Sequence, residues 1–526
     1  MLAVRSDAES SSRTSRLAPR ATAESTLERV AEAPGDLPAE QSAVEPEQGE
    51  QDFSWHDQWW PCVFVKDLDP QKPYPFTLLG EPIVIWRDGA GAWHAFHDAC
   101  PHRLIPLSEG RISTEGQLEC AYHGWRFEGG GRCTAMPQGG NPASPRACAS
   151  AYQCQVKQGL VWVKPQPSSV SQGPDAALAS DIPTLPELDD GEWLGFGDMW
   201  RDLPYDYSTL LENVLDAGHV PFTHHGTVSK RQSSGLYQDM RITERGPWGF
   251  KGVWPTGPRR GGLGSQSTHF RAPSLMRHTI DALDNRGFAN ITAVYAVPTT
   301  PGRCRAFVRQ PFRFRNRLLP QLLDKLPQFL GHLGNLDVLD DDVVFLHLQE
   351  QELVKRGMGE RPAGQVYYMP GASDAYVSGF RNWLQRVGGG GPFGPQNKEW
   401  LQAAGSRLPV KDLLDHYHSH TEQCETCRTA LGRLRVLRAL AAVGAAVSGL
   451  AAIACLGLWL AVTRLPAFQS MVPSAGVPLL LHGAWVSAVI AAGVGTLASW
   501  CQRTIPRFYT GKHPPARNTV PGEWAP

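Results

Sequence analysis

Residues 100–125 read CPHRLIPLSEGRISTEGQLECAYHGW and hold two Cys–His pairs, Cys100 with His102 and Cys120 with His123. Seventeen residues separate His102 from Cys120. Two thiolates and two neutral imidazoles on neighbouring loops can hold a metal centre, and such a centre ties the loops together. Zinc suits two Cys and two His. A zinc finger of that type, however, sets its paired His on a helix, three to five residues apart. Here each pair mixes one Cys with one His, which fits a [2Fe–2S] cluster with Cys on one iron and His on the other. Imidazole at one iron raises the reduction potential and suits electrons from a ferredoxin-like donor. Pro101 and Pro106 stiffen the first loop, and Gly124 frees the backbone after His123. Cys133 fits neither loop and reads as a buried or free thiol.

The loops sit in a β-like context. From Trp55 to about Val163, short apolar runs (WPCVFV, PIVIW, WHAF, GLVWV) alternate with Gly/Pro/Asp turns, the pattern of a small all-β domain. A chain of 526 residues is too long for one core. Its formal charge of −1 gives no electrostatic case for nucleic acid. Eleven cysteines without a secretory signal favour metal or redox use over structural disulfides. Residues 1–50 lack aromatics and read either as a disordered tail or as an organellar transit peptide. KPQPSSVSQGPDA reads as a linker, and residues 190–425 mix strand-like and helix-like segments in a larger domain.

Two apolar segments follow, Ala439–Val462 and Val477–Trp500, each of 24 residues without a charge. Roughly 20 such residues span a bilayer; the alternative is a buried hairpin in a soluble core. Arg428, Arg433, Arg435 and Arg438 precede the first, and Arg503, Arg507, Lys512 and Arg517 follow the second. Only Arg464 lies between, so both ends are expected on the cytosol-equivalent side.

A second metal site is expected in LENVLDAGHVPFTHHGT. Asp216 and His219, three apart, would share a helix face. His219 and His224, five apart, would diverge unless Pro221 breaks the helix between them. Two His and one carboxylate form the facial triad of non-haem iron sites, with open positions for O2 and substrate. The stretch LDVLDDDVVFLHLQEQE offers Asp340, Asp341 and Asp342 on an expected helix. For two of the three, the ordinary role expected is an acidic first turn stabilising the helix dipole.

The paired loops followed by ENVLDAGHVPFTHH resemble the α subunit of a Rieske non-haem iron oxygenase. The resemblance implies an α+β fold: an all-β Rieske domain, then a helix-grip (START-like) antiparallel-sheet catalytic domain, then two transmembrane helices. It implies a [2Fe–2S] cluster on Cys100, His102, Cys120 and His123, and mononuclear non-haem Fe(II) on His219, His224 and Asp342, with Asp341 the fallback. Asp216 takes the place of the carboxylate that links one subunit's Rieske His to its neighbour's iron, which implies a head-to-tail homotrimer. Asn213 falls beside the iron. The expected division is a leader (1–50), the Rieske domain (53–165), a linker (166–189), the iron domain (190–425), a two-helix anchor (439–500) and a tail (501–526).

WHDQWWPCVFVKDLDPQKPYPFTLLGEPIVIW and HYHSHTEQCETC narrow the resemblance to the chloroplast branch that includes pheophorbide a oxygenase and the translocon-associated 55-kilodalton protein. For that branch the implied activity is oxygenation of a chlorophyll-derived tetrapyrrole, pheophorbide a first, with reduced ferredoxin and O2. The alternatives are hydroxylation of another chlorophyll precursor or catabolite, or a non-enzymatic redox sensor of the import machinery. The implied place is a chloroplast membrane, inner envelope or thylakoid, with the catalytic domain in the stroma. Cys424 and Cys427 form a C-x-x-C ahead of the first span. It reads as a redox dithiol, as a zinc half-site with His416, His418 or His420, or as two inert thiols; the resemblance implies control by thioredoxin.

Overall fold

The apolar runs after Trp59 pair into an antiparallel sheet of six strands: Trp60–Phe64, Leu160–Pro167, Ala151–Lys157, Trp93–His97, Glu81–Arg87 and Tyr74–Leu78, in that spatial order. This computed structural model describes residues 53–167, 182–235, 237–258, 262–316, 318–357, 361, 363–394 and 406–523. The expected leader and most of the expected linker lie outside the described residues. Every side chain of Trp60–Phe64 is buried, so this strand is covered on both faces. A second, small sheet of four strands, Arg111–Ile112, Leu118–Glu119, Arg126–Phe127 and Cys133–Ala135, carries the two Cys–His loops.

Residues from Leu194 to Phe314 form a nine-stranded sheet whose pairings are all antiparallel. Its longest strand, Phe288–Pro298, is almost wholly buried. One face packs against the helices Tyr207–Leu215 and Ala375–Arg386, and the core there includes Phe250, Phe270, Leu336 and Phe380. The other face shares a core with the first sheet: Trp60, Ile83 and Trp162 pack in one cluster with Trp200, Ile291 and Phe307. Arg305 joins the two sheets. Its guanidinium binds Asp202 at 2.7 and 2.8 Å, reaches Cys62 O at 3.2 Å, and lies 3.9 Å over the Trp200 ring. The guanidinium is buried while the Asp202 carboxylate keeps 38% of its side chain exposed, so the pair anchors Arg305 at the rim of the joint.

The helix Gln328–Lys355 runs 28 residues and presses close to the sheet entry. A Cβ at Gly331 would come 2.7 Å from the Gly197 Cα, so only glycines allow this approach. The helices Glu425–Arg464 and Val477–Thr504 pair as a hairpin. Both are long and apolar enough to cross a membrane, and 6% of each apolar window is buried. That exposure excludes the buried soluble-core hairpin. The first helix starts inside the protein, with Cys427, Leu431 and Leu434 buried, and emerges where Leu440, Val443, Val447 and Leu450 are exposed.

Candidate metal centres

The two Cys–His loops are built alike. Cys100 N–H donates to Ile105 O and Leu104 N–H to Cys100 O; Cys120 N–H donates to Trp125 O and Gly124 N–H to Cys120 O. Each loop therefore turns back four residues after its Cys, with Leu104 at φ 59° and Gly124 at φ 70°. The turn buries both thiols and leaves the imidazoles outermost, His102 exposed and His123 half-buried. The two rings lie 4.6 Å apart, and Trp125 stacks on His102 at 4.6 Å and 2°. Burial, then the neighbouring Cys120, pushes the Cys100 thiol up to about 11, so the thiolate form needs a cation beside it. Among the described residues, these four donors are not one of the sets that fall within a single 4.8 Å group. Two buried sulfurs set apart from two outer imidazoles fit a two-iron cluster and do not fit a single zinc ion. Cys133 is buried, with its thiol 3.5 Å from Ala135 O.

His219, His224 and Asp342 do meet: one donor atom from each lies within 4.8 Å of the others. The helix Tyr207–Leu215 brings the first part of this set. Asp206 caps it, accepting from Ser208 N–H at 2.9 Å, and a buried Arg381–Glu212 pair holds its middle turn. This helix ends at Leu215, so the shared helix face expected for Asp216 and His219 does not exist. Nor does Pro221 break a helix. It stands in the first turn of a separate short helix, Val220–Thr223, where its missing N–H costs nothing. His219 and His224 cap the two ends of that single turn, and so their rings converge at 5.2 Å.

Hydrogen bonds orient both rings. His219 Nδ1–H donates to the Asp216 carbonyl, leaving Nε2 free. Asp341 Oδ2 lies 3.2 Å from His224 Nδ1, while Asp342 Oδ2 lies 3.5 Å from His224 Nε2. Asp341 thus holds the ring from behind, and Asp342 stands on its free side. Asn213 bonds to Asp342, whose Oδ1 is buried without a partner. Burial raises the Asp342 carboxyl above its ordinary range, against the pull of His219 and His224. An orphaned carboxylate oxygen beside two imidazoles fits a divalent cation, which would satisfy all three at once.

The three aspartates are not a helix-dipole turn. The helix begins at Gln328, so Asp340, Asp341 and Asp342 lie in its middle, and all three are buried. Asp340 faces Arg201 at 2.8 Å and His416 Nε2 at 2.9 Å. Burial alone would raise its carboxyl, but Arg201 and then His416 outweigh it, and it is held low. Asp216 accepts from Gly218 N–H at 2.7 Å and keeps about a third of its side chain exposed. Cys424 and Cys427 are buried free thiols. Of the three His weighed beside them, only His420 is close; His416 pairs with Asp340, and His418 with Asp415. The fourth neighbour is His332, which the sequence reading missed. Its sole signal is a His in the apolar frame FLGHLGNL, ten residues before Asp342.

Residues 58–153 match the family model described as the Rieske [2Fe-2S] domain, and residues 270–360 match that of pheophorbide a oxygenase. A [2Fe–2S] cluster is the cofactor of the first domain. Pheophorbide a oxygenase of Arabidopsis thaliana is 34% identical over 415 residues, 73% of this chain and 74% of that protein. Protein TIC 55 of the same plant is 33% identical over 65% of this chain and 61% of its own length. Flavonoid 8-hydroxylase 2 of Ocimum basilicum is 29% identical over 74% and 76%. Two matched domains in the order of the two donor sets, with identity running across most of both chains, place this protein among the Rieske non-haem iron oxygenases, in the pheophorbide a oxygenase family.

Proposed function

We propose that the chain is a membrane-anchored monooxygenase that takes electrons from reduced ferredoxin and oxygenates a chlorophyll-derived tetrapyrrole, pheophorbide a first. The observation that carries this reading is the convergence of half-buried His219 with buried His224 and Asp342, with Asp342 Oδ1 unpartnered. These three would hold mononuclear Fe(II), which when bound supplies O2 activation beside the substrate. Cys100, His102, Cys120 and His123 would hold the cluster that delivers electrons. Asp341 and the Asp216 carbonyl keep each imidazole presenting its free nitrogen. Asn213 steadies Asp342.

The electron is proposed to cross between subunits of a homotrimer, past Asp216. Its part-exposed carboxylate beside His219 supports this, as does the exposure of His102 at the other end of the path. Leu104, 75% exposed, and Tyr122, 55% exposed, flank the outer imidazoles and supply apolar surface for a docking neighbour. The tetrapyrrole reading rests on the family match and on the apolar hairpin, which suits a substrate that partitions into lipid. The chloroplast location, inner envelope or thylakoid, rests on the names of the relatives, and the stromal orientation on the Arg-rich flanks. Control by thioredoxin would need Cys424 and Cys427 as a metal-free dithiol; that reading rests on the family ground alone and is the rival outcome of metal analysis at this pair.

The test supplies reduced ferredoxin and 18O-labelled dioxygen to the full chain in detergent, with pheophorbide a, other tetrapyrroles and flavones in parallel. Label in a ring-opened pheophorbide product is expected. Label only in another tetrapyrrole or a flavone keeps the oxygenase and changes its substrate. No label, with both iron sites filled, favours the redox-sensor reading.

A further inference from the structure

Where the hairpin enters the protein, four donors from three elements meet. His332 comes from Gln328–Lys355 and His420 from the π-helical turn Tyr417–Thr421. Cys424 caps the helix Glu425–Arg464, and Cys427 lies in its first turn. All four are 0% exposed, and one donor atom from each lies within 4.8 Å of the others. His332 Nδ1 is 3.2 Å from His420 Nε2, 3.5 Å from Cys424 Sγ and 3.4 Å from Cys427 Sγ. Tetrahedral zinc, with bonds near 2.0–2.1 Å to nitrogen and 2.3 Å to sulfur, sets N···N edges of about 3.3 Å and N···S edges of about 3.6 Å. The match leaves room for one ion and none for a two-iron cluster.

A hydrogen-bonded cluster without metal accounts for less. One proton at most can sit between the two facing ring nitrogens, His332 Nδ1 and His420 Nε2, 3.2 Å apart, with both sulfurs crowded against the first of them. The outward nitrogens, His332 Nε2 and His420 Nδ1, lack protein partners with or without a metal. Burying such a set without a charge-satisfying centre is costly.

We propose that His332, His420, Cys424 and Cys427 hold one zinc ion, which clamps the membrane hairpin to the helix that carries Asp342. Two Zn–S bonds form as the two thiols release their protons. The surroundings make the site a junction. Asp67, beside the six-stranded sheet, accepts from Glu425 N–H at 2.9 Å and from the Trp200 indole at 2.9 Å. The Tyr74 hydroxyl donates to Gln423 at 3.0 Å, and the Trp200 ring lies 5.4 Å from His420. Both sheets, the long helix and the hairpin are thus pinned around one point. His332 stands ten residues before Asp342, about 15 Å along the helix axis. The clamp does not depend on the oxygenase reading.

Metal analysis of the full chain, purified in detergent after growth with zinc, tests it. One zinc per chain is expected. It should survive Asp342→Ala, which disables the other single-ion set, and fall below a tenth in Cys427→Ser and His332→Gln. The Rieske electron-paramagnetic signal serves as the folding control. Cobalt(II) probes the unmutated chain, so the test stands even where a variant fails to fold. Thiolate-to-cobalt charge-transfer absorption and a two-sulfur, two-nitrogen X-ray absorption shell are expected. The proposal is overturned if the unmutated chain takes up neither zinc nor cobalt here, or if zinc vanishes with Asp342→Ala yet persists in Cys427→Ser. A metal-free Cys424–Cys427 disulfide that thioredoxin reduces would likewise overturn it and leave the redox pair.

Discussion

The loops at residues 100–125 and the base of the hairpin carry the same donors, two Cys and two His, in different arrangements. On the loops, the thiols are buried and the imidazoles face outward, and the four do not share one coordination sphere. At the hairpin all four are buried and lie within 4.8 Å of one another. Donor identity therefore does not choose the metal centre; donor separation does. The first set suits a cluster that must exchange electrons near a surface. The second suits one closed-shell ion that holds elements together.

The sharpest way to break this comparison is His102→Ala. It should abolish the Rieske signal and all turnover while leaving the hairpin metal at full occupancy; loss of both would mean that the two sets are not independent. Next comes Asp342→Ala, expected to remove the mononuclear iron and turnover but to spare the cluster spectrum. Iron retained in that variant would shift the assignment to Asp341. Asp341→Asn should cost less, roughly 10–100-fold in iron affinity or activity, because its carboxylate orients His224 from behind. Iron titration beside single-turnover rates separates the two aspartates.

The smallest effect is a titration. Burial, then the Cys424 sulfur, pushes the Asp67 carboxyl up to about 6. A carboxyl raised on folding favours the native state below its unfolded value near 4, and that contribution is lost as pH rises through about 6. In metal-free protein the loss is at most about 3 kcal/mol. Thermal unfolding from pH 4 to 7, beside the Asp67→Asn variant, measures it; an unchanged slope in the variant would take the effect away from Asp67.

The two donor sets also differ in how far a linear reading reaches them. Strand runs such as PIVIW and WHAF, and the two apolar spans, are legible because each element announces itself by local pattern. The Cys–His loops are legible because both ligands of each pair lie within four residues. The dipole-turn role expected for two of Asp340, Asp341 and Asp342 fails because the helix starts well before them, at Gln328, where Pro327 precedes it with no side-chain cap to mark the start. The chain leaves the helix at Asp216–Gly218, before Pro221, and the proline, which is the stronger local signal, stands inside the next helix.

By itself the sequence determined the ingredients: a β domain with a paired Cys–His motif, a His-rich turn, an acidic helix and two membrane-length apolar segments. These follow from periodicity and near-neighbour spacing, which backbone geometry converts directly into local structure. Tertiary structure alone decided which aspartate faces the free nitrogen of His224, and that His332 joins His420, Cys424 and Cys427 across some 90 residues. Those choices depend on helix phase and on the close approach at Gly331, quantities set by packing between distant segments.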